Sequence, residues 1–251
     1  MKSKPKSVAR LTAAKPRPSR RKRSIKLAAK APRPARGTLQ SRVHAALARG
    51  LMGGMFTPGE AVSLRTLAAR IGTSAMPVRE AVGRLIAEGA LVMLPNRSVI
   101  IPRMSRERFI ELSRARQRLE GMLAEIGCRN ARKADIAALV RINEDLRQAI
   151  AAADTRTAMT DNLEFHFSFY ALSRSQVVLP LIEMLWRQAG PFVALSAKMP
   201  NVRWTQRHHG RLLAALRAGD ARAARRAVED DIEDTLQQLL KKADFEDGRR
   251  T

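Results

Sequence analysis

From Ser74 to Gly89, Val78, Val82, Leu85 and Ile86 recur at the spacing of one buried helix face, which turns Ala75, Met76, Arg79, Glu80 and Gly83 outward. An arginine near the start of such a helix carries the planar fork that pairs bidentately with guanine, and a methionine can pack on a thymine methyl. A serine at a helix N-terminus, here Ser74, suits a phosphate, because free N–H groups and the helix dipole meet there. Arg65, at the start of the preceding helix, is placed to touch backbone or base. The chemistry expected of this surface is contact with double-stranded DNA. The competing reading makes Arg79 an ordinary surface charge, paired with Glu80 or Glu88.

The elements around these residues must hold the helix out from a core. Leu39, Val43, Ala46, Leu47 and Leu51 predict a helix over 38–50, and Pro58-Gly59 marks a turn. Ser63 caps a second helix built on Leu64, Leu67, Ala68 and Ile71, which Gly72 stops. Pro77 falls in the first turn of the third helix, where a missing N–H does no harm. Two β-rich runs follow, Leu91-Val92-Met93 and Val99-Ile100-Ile101, joined by a hairpin tip, Pro95-Asn96-Arg97-Ser98, with one positive charge. Three helices and a two-stranded wing over 37–103 describe a winged helix-turn-helix.

Composition sets the wider bounds. Across 251 residues, 47 Lys and Arg oppose 23 Asp and Glu, a formal charge of +24 that calls for a polyanionic partner. Residues 1–36 hold 14 of those basic groups, no acid and five prolines, and are expected to form a disordered arm. Phosphate attraction and a mere solubility tail are both open for that arm. The single Cys128 excludes a disulfide framework and a multi-cysteine zinc finger, and fits a reducing compartment. No apolar run has the length of a membrane helix, and none follows the basic N-terminus as a signal peptide requires, so a cytoplasmic protein is expected.

The run Leu67-Ala68-Ala69-Arg70-Ile71-Gly72-Thr73-Ser74-Ala75-Met76-Pro77-Val78-Arg79-Glu80-Ala81-Val82, continuing to Leu85-Ile86-Ala87-Glu88-Gly89, closely resembles the GntR family of bacterial transcription regulators. The resemblance covers about residues 38–103 and implies DNA contacts from Arg65, Ser74, Ala75, Met76 and Arg79, with Asn96 and Arg97 in the wing. Ala75 departs from the Arg or Lys usual there, so one contact of relatives is missing, and either the operator differs or the basic arm compensates.

Beyond Ser105 the pattern is helical throughout, an all-α bundle over 104–243 with a disordered tail over 244–251. Phe109, Leu112, Leu119, Met122, Leu123 and Ile126 predict one face of a long first helix, and Ile136 to Ile150 a second. Leu163 to Leu172 belongs to a third and Val177 to Trp186 to a fourth; Pro191 and Pro200 are expected to break the chain around a short fifth. A sixth runs from Val202 to Arg217 and, after the Gly219-Asp220 turn, a seventh to Lys242.

Arg116-x-x-Leu119-Glu120, Phe165-His166 and His209-x-x-Leu212-Leu213-Ala214-Ala215-Leu216-x-x-Gly219-Asp220 resemble the FCD class of ligand-binding domain found behind GntR heads. That resemblance implies a divalent metal on Asn162, His166, His209 and position 231, where Asp231 replaces the commoner His. The spacing permits it. Asn162 and His166 share a helix face, while His209 and Asp231 stand at similar distances from the turn between their helices. Two nitrogens and two oxygens suit zinc, nickel or manganese. The alternative is an interior His166 and an Asp231 paired with an arginine, and His208 is read as a surface neighbour. By the same resemblance Arg116 meets an effector carboxylate; its other reading is a surface pair with Glu120.

The function expected is that of a homodimeric regulator, binding an operator under control of a small organic acid. The alternative from another class is a metal-dependent hydrolase with a basic DNA- or RNA-binding head.

Overall fold

A computed structural model describes residues 38–197 and 203–246, with the backbone alone at 203–205. The basic arm, Pro200 and the chain beyond 246 lie outside the described residues.

The head opens with α1 (Leu39–Met52), followed by β1 (Ala61–Val62), α2 (Leu64–Ile71), α3 (Ala75–Ala87), β2 (Val92–Met93) and β3 (Val99–Ile100). Side-chain oxygens of Thr38 and Ser63 accept from the backbone N–H of Ser41 and Thr66, capping α1 and α2. Gly72, at φ +73°, ends α2 in the left-handed conformation that lets the chain turn into α3. Val78, Val82, Leu85 and Val99 are fully buried and bring the helices onto the sheet. α1 runs two residues past its expected end, with Gly50 inside it.

The wing is joined by β1, in the order β1-β3-β2, with Ala61 and Val92 both opposite Ile100. Two residues are too short to show the alternation that marks a strand, so β1 had no signature in the sequence.

The bundle comprises α4 (Arg106–Asn130), α5 (Lys133–Ala151), α6 (Thr155–Ala171), α7 (Val178–Ser196), α8 (Arg203–Ala218) and α9 (Ala221–Lys242). α4 lies along α9, α8 pairs with α9, and α5 pairs with α6. Leu123, Phe165, Phe169, Tyr170, Ile182 and Trp186 fill its centre. Met122, expected on the inner face of α4, is exposed; Arg116, Glu120 and Ala124 turn inward instead.

The expected break at Pro191 does not occur. α7 passes through Pro191 as one helix, although proline has no N–H to give the carbonyl four residues back. Ala189, Gly190, Phe192 and Val193 are all buried around it, so packing on several sides replaces the missing backbone bond. The packed chain also extends past residue 243: Phe245 sits against Phe109 and Phe192, their ring centroids 5.5 and 5.9 Å away. Among the described residues, no helix is long and apolar enough to cross a membrane.

Candidate metal centre and DNA-facing surface

α6, α8 and α9 bring His166, His209 and Asp231 together inside the bundle, all three buried. His166 Nε2 lies 3.2 Å from His209 Nε2 and 3.3 Å from Asp231 Oδ2. Ligands held about 2.0–2.1 Å from one tetrahedral ion stand roughly 3.3 Å apart, so the spacing fits a shared cation. Asn162 Oδ1 and Asp231 Oδ1 are buried without a hydrogen-bond partner, two orphaned acceptors in the same place.

The ring nitrogens are oriented from behind. Tyr170 donates its hydroxyl to Glu120 Oε2 at 2.7 Å, so its oxygen accepts from His166 Nδ1 at 3.1 Å. Asn143 Oδ1 likewise accepts from His209 Nδ1 at 3.0 Å. With both Nδ1 atoms protonated, the Nε2 lone pairs face each other across a gap that a cation satisfies. Burial, and then the neighbouring His166, hold the His209 pKa down to about 3, so its imidazole stays neutral. Burial alone would raise Asp231, but the adjacent His166, and then His209 and His208, outweigh that and keep the carboxyl below its usual range. The donor set therefore fits a divalent metal.

Neither Asn143 nor Tyr170 is evident from metal-ligand spacing, although Tyr170 is the chain's one tyrosine and stands four residues after His166. Asn143→Ala should free the His209 ring to rotate and weaken metal binding about 10–100-fold, as loss of a second-layer partner does. Competition against a chelating indicator measures this, and unchanged affinity would remove Asn143 from the site.

A cavity of about 570 Å³ opens beside these residues, lined at one end by Arg116, Asn162, His166 and Asp231. Arg116 is buried, not on the surface, and its Nε donates to Glu120 Oε1 at 2.8 Å. Glu120 is wholly buried and also accepts from Trp186 Nε1 at 2.9 Å and from Tyr170. One carboxylate thus ties Arg116 to the residue that orients His166. The Arg116 guanidinium also lies over the Trp186 ring, 4.5 Å from its centre.

His208 departs from its expected surface position. It is only 2% exposed: its Nε2 lies 2.7 Å from Asp234 Oδ2, and the guanidinium groups of Arg207 and Arg211 stand 3.4 and 3.3 Å from its ring nitrogens.

On the head, Arg65, Ser74, Ala75, Met76 and Arg79 are all exposed along α2 and α3, as are Asn96 and Arg97 at the wing tip. Met76 is 73% exposed. Arg79 pairs with neither Glu80 nor Glu88. Ser74 occupies the N-cap position of α3 without bonding its own helix, leaving its hydroxyl available. Arg97 takes a φ of +62°, and Asn96 Oδ1 accepts from the Ser98 N–H to close the turn.

α7 connects the two ends. A Cβ on Gly190 would lie 2.5 Å from the carbonyl oxygen of Leu51, so α7 and α1 touch backbone to backbone. Glu88, at the end of α3, stands 2.7 Å from Arg187 Nε and 3.4 Å from His44 Nε2; the first is an ion pair without a well-aligned hydrogen bond. Gln188 donates to the Glu88 carbonyl. The same helix supplies Trp186, Val193 and Ser196 to the cavity, with Gly190 four residues after Trp186 and three before Val193.

Comparison with known proteins places both halves. The family described as "Bacterial regulatory proteins, gntR family" matches residues 39–101, and "FCD domain" matches 111–234. The HTH-type transcriptional regulator McbR of Escherichia coli (strain K12) is 28% identical over 202 residues, covering 79% of this chain and 91% of that protein. The Uxu operon transcriptional regulator of the same strain is 25% identical over 143 residues, 55% of this chain and 56% of its own length. The solved structure of E. coli McbR/YncC superimposes with a TM-score of 0.76 at 26% identity, over 83% of this chain and all (100%) of that one.

Proposed function

The chain belongs to the GntR family of bacterial regulatory proteins, with an FCD domain behind its head, and from that premise we propose that a divalent metal and a small carboxylate in the bundle control its grip on DNA. It is a bacterial transcriptional regulator, and its matched relatives are regulators as well. The observation that carries the control is α7, which supplies Trp186 and Val193 to the cavity and, from positions one turn away, Gly190 and Arg187 to the contact with the head.

In this reading His166, His209 and Asp231 hold the ion, with Asn162 as the fourth donor. The bound metal supplies a positive centre for one oxygen of the effector's acid group. Arg116 receives the other, since its Nε is committed to Glu120 and its terminal nitrogens remain for a carboxylate. A shift of Trp186 or Val193 moves α7, and α7 bears on both α1 and the end of α3. Differential binding to two arrangements of that contact is all that control of DNA affinity requires.

On the DNA side, Arg79 and Met76 read base edges from the start of α3, Ser74 and Arg65 contact backbone, and Asn96 and Arg97 enter from the wing. Ala75 adds only close approach. A homodimer in the cytoplasm presents two such heads to a near-palindromic site.

Selection of a binding site from random duplex DNA provides the operator. Arg79→Ala should then cost about 1–3 kcal/mol of specific binding and relax preference at one base pair per half-site. Gel-shift titration showing equal operator affinity for both proteins would overturn the assignment of α3 as the reading helix.

A further inference from the structure

We propose that the effector is a monocarboxylic acid with an apolar body, its acid group at the Arg116 end of the cavity and its hydrocarbon against Met159 and Val193. This rests on the reading of the cavity as the effector site and narrows the ligand's chemistry.

The lining is divided. Arg116, Asn162, His166 and Asp231 form one end, whereas Leu146, Ile150, Ala158, Met159, Val193 and Ile232 form apolar wall. Among the described lining residues Arg116 is the one cation. Thr155, Ser196 and Thr235 add hydroxyls but no charge. A second carboxylate on the ligand would therefore lie against hydrocarbon without a counter-charge, and an unpaired buried ion is strongly disfavoured.

Charge balance gives the same answer independently of the wall. Glu120 already offsets Arg116, and Asp231 offsets half the charge of a divalent ion held beside it. One positive charge is left over in a buried site, which a single carboxylate neutralises. The acid group has a defined seat, because Glu120 fixes the guanidinium at Nε and Trp186 fixes its plane.

The apolar end has a consequence of its own. Met159 lines the cavity, and its Cγ lies 3.6 Å from where a Cβ on Gly54 would stand, just beyond α1; Ala194 of α7 is 2.5 Å from the same point. The hydrocarbon therefore meets the cavity wall that backs onto the head. A short acid fills the charged end and leaves that wall untouched, so the head's response should grow with the length of the apolar body.

The test uses full-length protein loaded with nickel, titrated by calorimetry with acetate, hexanoate, adipate and hexanol. Hexanoate should bind more than about tenfold tighter than acetate and adipate, the smallest discrimination one methylene can bring in an apolar pocket. Hexanol should show no binding, and Arg116→Gln should abolish the hexanoate signal. Met159→Lys places a cation in the wall and should turn the preference toward adipate, with an unchanged melting curve as the check on folding. Adipate binding as tightly as hexanoate to the unaltered protein would overturn the monoacid, and acetate doing so would overturn the apolar body; in both cases the carboxylate reading survives. Hexanol matching hexanoate, or no acid binding at all, would overturn the carboxylate reading and this inference together.

Discussion

Glu120→Ala should destabilise the protein by about 3–5 kcal/mol, the range for removing one partner of a buried ion pair. Glu120 is wholly buried, and three donors converge on it: Arg116 Nε, Trp186 Nε1 and the Tyr170 hydroxyl. Alanine leaves a guanidinium uncompensated in the core and strands two further polar hydrogens. Glu120→Gln keeps one acceptor oxygen, able to serve Arg116 Nε and Trp186 but not Tyr170 as well, and loses the charge, so its cost should be smaller than that of alanine. Urea unfolding measures the loss. The same substitution should weaken metal binding, because Tyr170 then turns away from His166 Nδ1. A change within about 0.5 kcal/mol, the range of ordinary surface substitutions, would contradict the network.

Two glycine substitutions of identical chemistry should move stability in opposite directions. At Gly190 a new Cβ would stand 2.5 Å from Leu51 O, 2.7 Å from Met52 Cα and 2.8 Å from Met52 O. These are backbone atoms, which cannot swing aside, so Gly190→Ala must push α7 off α1 and should cost about 3 kcal/mol, the upper end for overpacking. At Gly210, exposed on α8, a Cβ meets nothing within 4 Å, and alanine should add about 0.5–1 kcal/mol through helix propensity. Thermal unfolding of both proteins makes the comparison. Gly190→Ala should also blunt the operator's response to ligand while leaving metal affinity intact. If Gly190→Ala and Gly210→Ala stabilise alike, the close contact of α7 with α1 is wrong.

Much of the head was legible because its signals are local. Ser63 caps α2 and Gly72 ends it in a left-handed turn, signals that depend on a few neighbouring residues. The clustering of His166, His209 and Asp231 was expected from the family resemblance; a four-residue step within α6 and similar distances from the turn between α8 and α9 show only that the spacing permits it.

What escaped depends on packing between distant segments. Pro191 reads as a break because its local cost is real, and only burial on several sides reveals why α7 continues. His208 looks like a surface residue until Asp234 is brought to it across the α8–α9 pair. Asn143 carries no motif, and its role exists because α5 lies against α8. The approach of Gly54 to Met159 and Ala194, which gives the cavity a route to the head, joins residues more than a hundred positions apart and has no signature in either segment.

Control of the head's grip on DNA by the bundle site is open to anisotropy titration of a selected operator with nickel-loaded protein, with and without hexanoate, for the unaltered chain and for His166→Ala. The unaltered protein should change its operator affinity about 5–150-fold on adding the acid, the usual span of coupling between two sites. His166→Ala, which removes the proposed nitrogen donor of α6, should keep its operator affinity in the absence of acid and lose the response. Equal response from both proteins, or an operator affinity in the unaltered protein that ignores metal and acid alike, would contradict control through the bundle.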